Sequence, residues 1–85
     1  MKEKDKIRLQ KIGANLLRLR TDRGLTQEQL SYECDVDRAK ISKIESGQAN
    51  LYVTTLLDLA EGLKISAEDL LDVGKTKKQN NQSKC

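Results

Sequence analysis

Between Thr26 and Gly47 apolar residues fall at helical spacing twice, and Asp35-Val36-Asp37 stands between the two runs. Leu30 and Cys34 are four apart, a narrow inward stripe for one short helix. Ile41 and Ile44 are three apart, the inward stripe of a second. Arg38, Ala39, Lys40, Ser42 and Lys43 then fall on the other faces of that second helix. Thr26 is a good N-cap, and Gln29 three residues on completes a capping box. Asp35 tolerates the left-handed backbone of a tight turn, though less well than Gly. Val36 is expected to pack that turn on the core. Asp37 is expected to cap the second helix, where its charge suits the N-terminal dipole. Gly47 supplies the C-terminal stop. The pattern is two short helices around a tight turn, the second with a cationic outer edge.

The remaining composition narrows the fold class. Eighty-five residues make one small domain. With no Phe, Trp or Pro and only two Tyr, the core has to be aliphatic. No alternating Val/Ile/Thr run suggests a strand, so the expectation is all-α. No apolar stretch approaches 18 residues and there is no signal-peptide pattern, which points to a soluble intracellular chain with no membrane partner. The absence of His removes the commonest metal ligand and general base. No Gly-rich phosphate loop, nucleophile arrangement or paired carboxylates suggest an enzyme, and no cofactor or metal is expected. Cys34 is read as a packing residue.

Net charge is +3, but unevenly spread. Residues 1–24 carry eight basic and three acidic side chains, and residues 74–85 carry four basic and none acidic. Residues 51–73 carry one basic and five acidic. A chain that meets a polyanion with one side has this asymmetry.

In order along the chain, residues 1–11 either extend the first helix or form a basic arm. Ile12, Leu16 and Leu19 are an inward stripe ending at Gly24, with Leu25 placed as a hydrophobic staple before Thr26. A short linker, 48–52, leads to a fourth helix in which Val53, Leu56, Leu57, Leu59, Ala60 and Leu63 are expected to bury a broad face. Gly62 inside it costs roughly 1 kcal/mol against Ala, which suggests a close helix approach. Ser66 is expected to cap a short fifth helix with Glu68 and Asp69 in its first turn. Its Leu70, Leu71 and Val73 are the candidate dimer surface, with Leu51 or Tyr52 as rival and closure of the chain's own core as the alternative. The domain is set at 12–73, and 74–85 is expected to be a disordered basic tail.

Ile12-Gly13, Leu16, Leu19-Arg20, Gly24-Leu25-Thr26-Gln27-Glu28, Leu30, Ile41-Ser42, Ile44-Glu45, Gly47, Asn50, Thr55-Leu56, Ala60 and Leu63 stand in one joint order. In that order the chain resembles the Cro/CI-type (XRE, lambda-repressor-like) helix-turn-helix family, from about Ile12 to Leu71. The resemblance implies a compact five-helix domain whose second and third helices read double-stranded DNA. It implies that Gln27 touches a phosphate and braces a base-reading side chain, and that Arg38, Ala39 and Lys43 face base edges. Lys40, Ser42 and the backbone near Asn50 are then phosphate contacts. Arg20 and Glu45 match a family ion pair between the first and third helices. Departures are Asp35 and Lys64 for Gly, Ser31 for Ala and Leu51 for Pro. Asp37-Arg38 resembles restriction–modification controller proteins, a subset of the family.

The function expected on this resemblance is a DNA-binding transcriptional regulator. A homodimer reading a pseudo-palindromic operator through residues 37–46 is the form anticipated, without a small-molecule effector, in a prokaryotic cytoplasm. The alternative is an antitoxin-type interaction module that also binds its own promoter. Against it, the tail lacks the apolar anchors that a toxin-binding segment carries.

Overall fold

In a computed structural model the described residues are 2–48 and 50–72, and they form five helices. These are α1 (Glu3–Asp22), α2 (Gln27–Cys34), α3 (Arg38–Glu45), α4 (Val53–Leu63) and α5 (Ala67–Leu70). There is no strand among the described residues. None of these helices is long and apolar enough to cross a membrane.

Local sequence explains most of the boundaries. Helix α1 runs back without a break to Glu3, so residues 3–11 continue it rather than leaving it as an arm. Its end is closed by Leu25 N–H donating to Arg20 O at 3.1 Å and Gly24 N–H to Thr21 O at 2.9 Å. That is a Schellman closure around left-handed Gly24. The same closure ends α3 at Gly47, through Gln48 N–H to Lys43 O at 2.9 Å and Gly47 N–H to Ile44 O at 3.0 Å. It also ends α4 at Lys64, a non-glycine residue held at φ 59°. Thr26 and Gln29 form the full capping box of α2: Gln29 N–H donates to Thr26 Oγ1 at 3.0 Å, and Thr26 N–H donates to Gln29 Oε1 at 2.9 Å. Asp35 takes the left-handed turn at φ 57°. Ser66 Oγ caps α5 by accepting from Asp69 N–H at 3.2 Å.

Packing follows the apolar stripes. Helix α1 lies against α3 and α5, while α2 lies against α3 and α4, and α5 closes onto α4. Leu16, Leu30, Ile41, Leu59, Leu63 and Leu70 are fully buried at the centre, joined by Cys34, Val36, Ile44 and Leu56. Each of those six large side chains contributes about 1.5–3 kcal/mol by leaving water. Two glycines permit close crossings. A Cβ on Gly13 would strike the Ile44 carbonyl oxygen and come within 2.7 Å of that of Glu45. One on Gly62 would lie 2.5 Å from Cys34 Cβ, so α4 and α2 touch nearly backbone to backbone.

Two expectations need correction. The buried face of α4 is narrower than the six apolar residues expected. Val53 is 70% and Leu57 52% exposed, because Leu57 lies about 100° around the axis from Leu56 and away from α2. Leu70 is 1% exposed, so it closes this chain's own core and offers nothing to a partner. Leu71 is 42% exposed, and Val73 and residues 74–85 lie outside the described residues.

Candidate nucleic-acid interface

Helix α3 is eight residues long, about 12 Å, short enough to enter one major groove. Ile41 and Ile44 fasten its inner face to the core. Arg38, Ala39, Lys40, Ser42 and Lys43 are all exposed on its outer side. Three cations and no carboxylate occupy that edge within the helix until Glu45 turns inward.

Glu45 is where three segments meet. Arg20 Nε donates to Glu45 Oε2 at 2.6 Å, and Arg20 Nη2 donates to Oε1 at 3.0 Å, a bidentate pair. The side chains of Arg20 and Glu45 are 10% and 6% exposed. Arg20 Nη1 donates to Leu25 O at 2.7 Å, which ties the pair to the loop before α2. Gln27 Nε2 donates to Glu45 Oε1 at 2.9 Å. The C-terminal end of α3 is therefore bound to α1 and to the first residue of α2 by three hydrogen bonds on the Glu45 carboxylate, and a fourth ties Arg20 to the loop before α2.

Gln27 has two positions to serve. Its amide nitrogen turns inward to Glu45, while the residue also lines an open hollow with Arg20, Thr26, Glu28 and Arg38. The start of α2 and the start of α3 thus share one concave surface bearing two guanidinium groups. Beside α3 a second, more apolar hollow is lined by Ala39, Lys40, Lys43, Asn50, Tyr52 and Thr55. It brings Asn50 to the outer edge of α3. It also brings Tyr52, 71% exposed, which the sequence offered only as a rival dimer contact. Nothing in the spacing of the linker marks Tyr52, because its neighbours on α3 are a dozen residues away in sequence.

Asp37 departs from its expected duty. It precedes α3 as N-cap residue, yet its side chain accepts no hydrogen bond from the first-turn amides. No Asp37–Arg38 ion pair forms among the described residues, so the Asp37 carboxylate is exposed at the edge that carries the cations. On α2, Tyr32 donates its hydroxyl to Glu28 Oε2 at 3.1 Å, and that bond with the carboxylate charge raises the phenol above its ordinary range. Burial pushes the Cys34 thiol up, since its anion would lose hydration against α4.

Residues 13–73 match the helix-turn-helix domain family, most of the described structure. The chain belongs to that family, in its Cro/CI-type (XRE) branch, and is a DNA-binding transcription regulator by that membership. Among solved structures it is similar to the restriction–modification controller protein C.AhdI from Aeromonas hydrophila. The two are 39% identical with a TM-score of 0.72, over 73% of this chain and 94% of that one. It is also 37% identical over 60 residues to an uncharacterized HTH-type transcriptional regulator of Sinorhizobium fredii, covering 71% of this chain and 78% of the relative. To the control protein C.BamHI of Bacillus amyloliquefaciens it is 38% identical over 48 residues, 56% of this chain and 59% of that protein.

Proposed function

We propose that this regulator acts as a homodimer on a pseudo-palindromic operator, laying α3 of each copy in a major groove. The observation that carries the reading is the outer edge of α3, cationic and exposed, on a helix held rigidly from behind through Glu45. Arg38 at the helix start suits a bidentate grip on guanine O6 and N7, worth about 1–3 kcal/mol of discrimination. Ala39 suits a thymine methyl, and Lys43 a base edge one turn further on. Lys40, Ser42, Gln27 and the backbone at Asn50 suit phosphates, which set register rather than sequence. Eight residues of reading helix contact only a few base pairs, so two copies supply the length that specificity needs. Half-sites about 34 Å apart then match the two-fold of the protein.

Leu71 is the described residue of the expected dimer surface that has exposed area to offer. Likeness to the restriction–modification controller protein C.AhdI and the control protein C.BamHI supports a controller role in restriction–modification. Selection of bound sequences from a random duplex pool tests this, with the mass of the complex measured on the winner. Inverted half-sites about one turn apart, bound by two chains, are expected. A selected pool with no common sequence, or one chain per duplex, would overturn it.

A further inference from the structure

Gln10 and Gly47 are packed so closely that a Cβ on Gly47 would lie 2.7 Å from Gln10 Cγ and 2.9 Å from its Cα. The N-terminal half of α1 is thereby held against the loop that leaves α3. Lys6, one turn before Gln10, lines an open cleft with Ser46 and Gln48 in that loop. Lys2 stands one turn earlier still as the N-cap residue of α1, its backbone extended at ψ 148°, and Lys6 N–H donates to its carbonyl at 3.0 Å. Lys6, Gln10 and Gly13 recur at i, i+4 and i+7, the face that meets α3 and its loop, and the backbone of Lys2 precedes Lys6 by one turn. Lys4, Arg8 and Lys11 fall at i, i+4 and i+7 on the opposite side, where Arg8 pairs with Asp5 at 3.5 Å. The extension that precedes the family match is thus a helix with two cationic edges, only one of them beside the loop that leaves α3.

We propose that Lys2 and Lys6 form a second phosphate-binding surface, contacting the duplex backbone beside the groove that α3 enters. The inference rests on the DNA-reading role of α3 proposed above. Continuity with the α3 loop and charge complementarity to phosphodiesters select DNA as the occupant. From Gln10 to Lys2 is about 12 Å along the helix axis, enough for Lys2 and Lys6 to meet separate phosphates. A structural role for Lys6 is the competing explanation, because a cation near the last carbonyls of α3 offsets that helix's dipole. The two explanations differ in what they move.

The test compares two charge-matched variants of the full chain, Lys2→Gln/Lys6→Gln and Lys4→Gln/Lys11→Gln, on the duplex selected by the wild type. Each removes two positive charges, so any effect of net charge alone is the same in both. For Lys2→Gln/Lys6→Gln the slope of log K against log salt should shrink by about 1.8, equivalent to about eightfold in affinity per contact at 0.1 M salt. The thermal midpoint should match that of the control variant. Equal losses for the two variants would overturn the proposal, as would a binding loss that follows a lowered midpoint. A wild type that prefers no duplex would remove the underlying reading of α3 and this inference with it. Wild-type binding with an unchanged slope in Lys2→Gln/Lys6→Gln would remove this inference alone.

Discussion

Gly13 of α1 lies directly on the carbonyl of Ile44 in α3, leaving no room for a side-chain carbon between the two helices. The distance from α1 to α3 is therefore set by backbone contact. Gly13→Ala gains about 1 kcal/mol of helix propensity but must push α3 outward, and overpacking of this kind costs about 1–3 kcal/mol. Here the obstructing atoms are backbone oxygens, which do not swing aside as a side chain would. A lower urea midpoint and weaker operator binding are expected together for Gly13→Ala. A variant as stable as the wild type would show that α1 and α3 separate freely.

The Arg20–Glu45 pair gives a different signature. Glu45→Ala strands a buried guanidinium and removes the partner of Gln27, at a cost of about 3–5 kcal/mol. Replacing both, Arg20→Met/Glu45→Met, removes the charges together and should cost less than either single truncation. Chemical denaturation of the three variants checks this. Operator binding by the double variant should still fall, since α3 would lose its bonds to Arg20 and Gln27. Additive costs would show that the two side chains do not depend on each other.

Cys34 links stability to alkaline pH. Its folded thiol titrates above the ordinary value, so folded and unfolded chains bind the same proton at neutral pH. As pH climbs past the unfolded thiol value, about 8.5, the unfolded chain releases that proton first and stability falls until the folded thiol also ionises. In a Cys85→Ser background the decline above that pH should be steeper than in the further variant Cys34→Ala. Denaturant melts across the alkaline range measure it, and parallel curves would count against a desolvated thiol.

Much of the architecture is legible in the sequence because it is locally encoded. Thr26 and Gln29 cap α2 from three residues apart, Asp35 tolerates the left-handed turn, and Ser66 caps α5. Each depends on neighbours within one helical turn. What escapes depends on partners far along the chain. Asn15 is buried where a helix stripe alone would allow any small residue. It donates from Nδ2 to Asp69 O at 2.9 Å and Leu70 O at 2.8 Å, fixing α5 to α1 across more than fifty residues. Leu70 belongs to the core because of that docking, whereas its spacing alone fits a surface equally well. Asp37 reads as a capping residue, but its side chain stays out of the cap. At the candidate interface, inward and outward positions on α3 follow from the spacing of Ile41 and Ile44. The placement of Tyr52 beside Lys40 and Lys43 arises only when the linker folds back.

Arg38 and Lys40 should separate sequence reading from general attraction. Arg38→Ala is expected to lose about 1–3 kcal/mol on the selected duplex and far less on random DNA. Lys40→Ala should weaken both by similar factors and lower the salt slope by about 0.9. Competition binding with the two duplexes gives both numbers. Equal losses on cognate and random DNA for Arg38→Ala would assign Arg38 to the backbone.

Titration of the selected duplex into isotopically labelled protein, followed by backbone amide NMR, reports most directly on which surface meets DNA. The amides of Gln27, Arg38, Ala39, Lys40 and Lys43 should shift most, with those facing the core, such as Leu59 and Leu63, moving least. Shifts confined to α4 and α5, with the outer edge of α3 unchanged at saturation, would contradict a reading role for α3.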